Sequence, residues 1–95
     1  MQFSFERHMG LTRAEFLRSL PEALGHPHYR IDGDRIEIED PAGPIRILLG
    51  PAEERRIGML RLPVIRVGFQ FGEMPRTERD RFMGRFERYF QRGGG

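Results

Sequence analysis

Tyr29-Arg30-Ile31-Asp32-Gly33-Asp34-Arg35-Ile36-Glu37-Ile38 is the stretch that decides the fold. Gly33-Asp34 reads as a tight hairpin turn with glycine at the first central position. Folding the chain there sets Ile31 opposite Ile36 and Tyr29 opposite Ile38 on one face. On the other face Asp32 meets Arg35 and Arg30 meets Glu37. Apolar pairs inside and opposite charges outside favour the same register, and a slip of one residue would spoil both. An antiparallel sheet with one buried face follows.

Working outward from the hairpin, Asp40 closes its second strand and Pro41-Ala42-Gly43-Pro44 makes the next turn. Ile45, Ile47 and Leu49 then point inward on a third strand, with Ile38 opposite Ile47 and Glu39 opposite Arg46. Gly50-Pro51 starts another connection. From Arg55 to Phe71 the pattern is strand-like, but Ile57 and Met59 set one phase and Leu60 and Leu62 the other. That phase change predicts a bulge or a strand buried on both sides. Pro63 cannot donate within a central strand, so a bulge, bend or tight turn is expected there. Ile65, Val67, Phe69 and Phe71 alternate with Arg66, Gly68 and Gln70.

Toward the N-terminus, Phe3 and Phe5 alternate with polar residues as a half-buried first strand, which Gly10 breaks. Thr12-Arg13-Ala14-Glu15 is a capping box, with Leu11 and Phe16 at the staple positions. Phe16, Leu17, Leu20, Ala23 and Leu24 form a helical stripe stopped by Gly25. Pro21 is expected to kink or break this helix near Leu17 to Leu20. Thr77, with Asp80 three residues on, begins a last helix whose buried stripe is Phe82, Met83, Phe86, Tyr89 and Phe90.

The order is strand, helix, four or five strands, helix. It predicts an α+β fold, an antiparallel meander of five to six strands with both helices on one face. That order resembles the helix-grip and TATA-binding-protein-like arrangements, in which a terminal helix lies across a curved antiparallel sheet. The resemblance spans the chain, rests on element order, and implies a fold without implying a function. Residues 1–92 form one domain, and Gly93-Gly94-Gly95 is expected to be a flexible tail. A tail ending in glycines resembles those of ubiquitin-like and sulfur-carrier proteins. There, however, the tail follows a strand of a β-grasp fold, whereas here it follows a helix.

All 16 basic residues are arginine, and lysine and asparagine are both absent. GC-rich coding favours arginine and disfavours the other two, so the arginine wealth is weak testimony for nucleic acid. Residues 1–54 hold six Arg against ten acids, net −4, and residues 55–95 hold ten Arg against four acids, net +6. Such halves attract one another within a fold or between two copies, or offer a basic surface to an anionic partner. Without cysteine there are no disulfides and no thiol chemistry. Met1 to Arg7 lacks the apolar run of a signal peptide, and no stretch approaches the roughly 20 apolar residues of a membrane span, so a cytoplasmic location is expected.

Two clusters are candidate sites. Arg81, Arg85, Arg88 and Arg92 fall on one stripe of the last helix and, with Arg66, could grip phosphates. The same arginines could instead lay their stems over the core boundary and meet acids on the sheet. Most of the eight Phe fall at core spacing, leaving few aromatics to stack on bases. His26-Pro27-His28, with His8, is the metal-like cluster, although His28 falls opposite Glu39 and a carboxylate neighbour suffices to explain it. No nucleophile elbow, phosphate cradle or paired catalytic carboxylate is present, and neither a cofactor nor a small-molecule site is called for. The expectation is a binding protein without catalysis, engaging a protein partner or itself. Its open sheet face carries Arg30, Glu37, Glu39, Arg46, Arg66 and Gln70. The alternative is a nucleic-acid-binding module using the arginine stripe.

Overall fold

Ile31 faces Ile36, Tyr29 faces Ile38, Asp32 faces Arg35 and Arg30 faces Glu37, the register that the side-chain pairing dictates. The computed structural model describes residues 3–91. Its elements are β1 (Phe3–Met9), α1 (Arg13–Leu24), β2 (Tyr29–Asp32), β3 (Arg35–Asp40), β4 (Gly43–Ile57), β5 (Leu60–Phe71) and α2 (Arg76–Tyr89). The five strands form one antiparallel sheet in the order β1-β5-β4-β3-β2. Strands β2 to β5 are the meander, and β1 returns beside β5. Arg92 and the glycine tail lie outside the described residues.

One sheet face is sealed. Ile36, Ile38, Ile45, Ile47, Ile65, Val67, Phe69 and Phe71 are all at most 2% exposed. Both helices cover that face: Phe86 of α2 packs edge-on to Phe69 at 5.1 Å, and Phe16 of α1 lies 6.1 Å from Phe86. Burying each such side chain contributes about 1.5–3 kcal/mol, so these residues supply most of the driving force for folding. The helices are also tied by the Tyr89 hydroxyl, which donates to Glu22 at 2.7 Å and whose pKa this bond raises. The Arg13 guanidinium clamps α1 to the β2–β3 turn through the Asp34 carboxylate and the Gly33 carbonyl.

Helix α1 starts where its capping box requires. The Thr12 hydroxyl accepts from the Glu15 N–H at 3.1 Å, and the Thr12 N–H donates to the Glu15 carboxylate at 2.8 Å. The expected break at Pro21 does not occur; α1 runs unbroken to Leu24. Pro21 stands in the last turn with its ring in solvent, where a missing donor forfeits a single bond. Gly25, at φ 81°, closes the helix by donating to the Pro21 carbonyl. Helix α2 begins one residue before Thr77, on the Pro75 carbonyl, which accepts from both Glu78 and Arg79 at 3.0 Å.

Three strand expectations are corrected. The turn after β3 is two residues tighter than expected, with Asp40 opposite Gly43 and the Asp40 carboxylate accepting from the Ala42 N–H at 3.0 Å. Ile38 therefore faces Ile45, Glu39 faces Pro44, and Arg46 faces Glu37. A shift of two residues preserves which side chains point inward, so the core is unaffected. Gly50-Pro51 is no connection but a bulge inside β4, between Leu49 and Ala52. The phase change at Ile57 to Leu60 is a hairpin turn at Gly58-Met59, with Gly58 at φ 59°.

Pro63 sits in β5 opposite Glu54. Counting from the Ile57–Leu60 pair that closes the turn, hydrogen-bonded and open pairs alternate, and Pro63 falls at an open one. Its missing N–H therefore faces the outer edge, where no ladder bond is lost.

Candidate functional site

Strands β4 and β5 outrun the rest of the sheet. Pairing with β1 ends at Met9–Ile65 and pairing with β3 at Arg35–Leu48, while β4 and β5 stay paired to Ile57–Leu60. Residues 53–64 are thus a two-stranded arm, roughly 17 Å long at 3.3 Å per residue. It contributes to a long axis of 44 Å against 24 and 22 Å across.

The arm is two-faced. Its cross-strand pairs Arg55–Leu62 and Ile57–Leu60 point to the side of the open sheet face, and Arg56–Arg61 and Glu54–Pro63 to the other. Ile57 is 54% exposed, Leu60 63%, Leu62 41%, and Met59 at the tip is wholly exposed. Large aliphatic side chains concentrated on a projecting ribbon mark an interaction surface far better than the same residues scattered singly.

At the base of the arm the open sheet face carries a hollow of about 340 Å³, lined among others by Ser4, Glu6, Leu48, Gly50, Gly68 and Gln70. Gly68 leaves its floor without a side chain. Gly50 allows close packing against Arg66, whose Cβ would lie 3.1 Å from a Cβ at that position. Of the charged residues expected on this face, Arg46 donates to Glu37 at 2.7 Å and Arg66 lies 3.7 Å from Glu53.

The arginine stripe is largely met by acids. Arg81 stands 3.2 Å from Glu78, and Arg85 3.9 Å from Asp40. Arg88 is exposed and has no ion-pair partner among the described residues. Arg81, Arg85 and His26 come together in a cleft of about 340 Å³ between the end of α1, the β3–β4 turn and α2, with Asp40 and Glu78 in the same wall. The two cations are balanced there by two carboxylates. Arg66 lies on the opposite side of the sheet, so it shares no patch with Arg81, Arg85 and Arg88.

The histidines divide likewise. His26 and His28 stack at 5.2 Å, and the His26 Nδ1 accepts from the His28 N–H at 3.0 Å. A neutral His26 therefore carries its proton on Nε2, which is buried and has no hydrogen-bond partner among the described residues. The His28 carbonyl accepts from the Glu39 N–H at 3.0 Å, the pairing its position opposite Glu39 anticipates. His8 lies on β1 opposite Arg66, on the open face rather than in the cleft. Among the described residues no group of three His, Cys, Asp or Glu side chains is placed to hold a metal ion. No described helix is long and apolar enough to cross a membrane.

Comparison with protein-family models, curated proteins and solved structures gives no match. The functional reading therefore rests on the chain's own geometry, and the arm is the feature that geometry singles out. The sequence carries a signal for it: Gly58-Met59 between two strand-like runs has the same glycine-first form as Gly33-Asp34.

Proposed function

We propose that the protein is a non-catalytic interaction protein whose binding element is the β4–β5 arm. The observation that carries this reading is the exposure of Ile57, Met59, Leu60 and Leu62 on a ribbon that covers none of the core. Apolar anchors presented on a rigid element are what a protein partner buries at the centre of an interface. Pro63 interrupts the β5 edge of the arm, which disfavours strand addition there. The exposed aliphatic face is the surface better suited to a partner. Nucleic-acid binding by the α2 stripe has less support, since Arg66, Arg81 and Arg85 each have a carboxylate within 4 Å.

The test is capture from the organism's own lysate, treated with nuclease, comparing the full chain with the triple variant Ile57→Thr, Leu60→Thr, Leu62→Thr. Threonine keeps strand propensity while removing apolar surface, and exposed sites of this kind change stability by within about 0.5 kcal/mol each. The reading expects the variant to fold normally and to lose the partner. Capture that is equal with both chains, or that vanishes on nuclease treatment, overturns it.

A further inference from the structure

The hollow at the base of the arm is built around a missing side chain. Gly68 of β5 stands between Glu6 of β1 and Leu48 of β4, so both neighbours rise above a bare floor. Arg66 and Gln70 close its two ends, because alternate residues of β5 share a face. Ser4 stands opposite Gln70.

Two arginines border the hollow, and both lean away from it. The Arg46 guanidinium reaches Glu37 on β3 at 2.7 Å. The Arg66 stem crosses Gly50, its Cβ and Cδ 3.1 and 3.9 Å from where a Cβ there would stand, and its guanidinium turns to Glu53 of β4 at 3.7 Å. Glu6 is left exposed, its carboxylate with no ion-pair or hydrogen-bond partner among the described residues. His8, two residues along β1, faces Arg66 and does not line the hollow. Arg30 and Arg55 share the open face without an ion-pair partner among the described residues. Each is roughly 20 Å from Glu6, beyond the screening length of about 8 Å.

The hollow thus offers three acceptors: the Glu6 carboxylate, the Gln70 carbonyl and the Ser4 hydroxyl. Leu48, 38% exposed, and the Arg66 stem add an aliphatic flank. A cationic head on an apolar stem complements such a set. Arginine matches it better than lysine, since its planar fork donates bidentately to a carboxylate and sideways to a neighbouring acceptor.

We propose that the hollow receives an arginine side chain of the protein that binds the arm. This rests on the arm being the binding element, and goes further in naming what its partner must carry. Gly68 lies six residues from Leu62 along β5, roughly 20 Å, within the reach of one interface of about 800 Å² per partner. The partner therefore presents an apolar patch to the arm and an arginine roughly 20 Å away.

The experiment is an NMR titration of the full chain with Nα-acetyl-argininamide, and with the citrulline analogue, which has the same shape without the charge. Saturable shifts are expected at the Ser4, Gly68 and Gln70 amides, with a dissociation constant of about 1–10 mM, and none from the citrulline compound. Glu6→Gln should weaken binding about threefold or more. Gly68→Val should abolish it by filling the hollow; a Cβ there meets Leu48 at 3.6 Å and beyond, ordinary contact, so the sheet still forms. Circular dichroism and a thermal melt on each variant separate loss of the site from loss of fold. In lysate, Glu6→Lys should lower capture of the arm's partner about fivefold or more.

No saturable shift up to about 50 mM overturns the proposal. So do equal shifts from the citrulline compound, binding indifferent to Glu6→Gln, or capture indifferent to Glu6→Lys. The arm reading survives each of these when capture still depends on Ile57, Leu60 and Leu62. Capture equal with the threonine variant overturns both, so the two failures are told apart.

Discussion

Ile57 pairs with Leu60 across the Gly58-Met59 turn, and both side chains stand more than half exposed on the same face of the arm. Closing a tight turn with two large aliphatic residues normally serves a core. Here the pair lies beyond the last contact of β1 and β3 with the sheet, where none of the described residues covers it. The cost of leaving such side chains in water is the physical basis of the proposal that the arm is a surface for another molecule.

The arm depends on Gly58. Its φ of 59° is disfavoured for residues with a Cβ, and no atom lies within 4 Å of where that Cβ would be, so any penalty is in the backbone alone. Gly58→Ala is expected to cost about 1–2 kcal/mol, taken entirely from the arm. Hydrogen exchange should show faster exchange at residues 53–64 and unchanged protection in β3 and in β5 from Ile65 to Phe71. Loss of protection throughout the sheet would show that the arm and the core unfold together.

The capping box makes α1 pH-dependent. The Thr12 N–H, then the Thr12 hydroxyl, holds the Glu15 carboxyl below its ordinary pKa of 4.5. A carboxyl depressed in the folded state contributes stability that is present above its unfolded pKa and lost as pH falls through the folded one. The stability difference between wild type and Glu15→Ala should therefore shrink as pH drops from neutral through the carboxylate range. A difference that stays constant with pH would remove the charge from the account. Thr12→Ala should cost about 1 kcal/mol at neutral pH, by urea unfolding.

The core turns on Phe86. It contacts Phe16, Phe69, Phe82 and Phe90, joining both helices to the sheet, and is 2% exposed. Phe86→Ala is expected to cost about 3–5 kcal/mol, a large part of the total stability of a domain this size. Urea unfolding measures it directly, and a cost under about 1 kcal/mol would mean that the core closes without this residue.

Where sequence carried redundant information, the structure follows it. Tyr29 to Ile38 had apolar pairs, charge pairs and a glycine turn all agreeing, and its register is as read. Thr12 and Glu15 were equally unambiguous. The β3–β4 register slipped by two because Pro41-Ala42-Gly43-Pro44 can close a hairpin at two different lengths. Side-chain alternation cannot separate them, since a two-residue shift leaves the same faces inward. The arm was hidden for a different reason. Its aliphatic residues read as core, because periodicity reports which side chains share a face but not whether anything covers that face. The arginine stripe was legible as a stripe, but not the pairing of Arg85, which depends on Asp40 from a distant turn.

The most direct test of the arm as the binding element is site-specific photo-crosslinking in the organism's lysate. A photo-reactive phenylalanine analogue replaces Met59, the wholly exposed tip residue, or Arg18 on the exposed side of α1 as the control. The account predicts a discrete adduct from position 59, whether with a second copy or another protein, and none from position 18. Adducts in equal yield from both positions, or from position 18 alone, would contradict it.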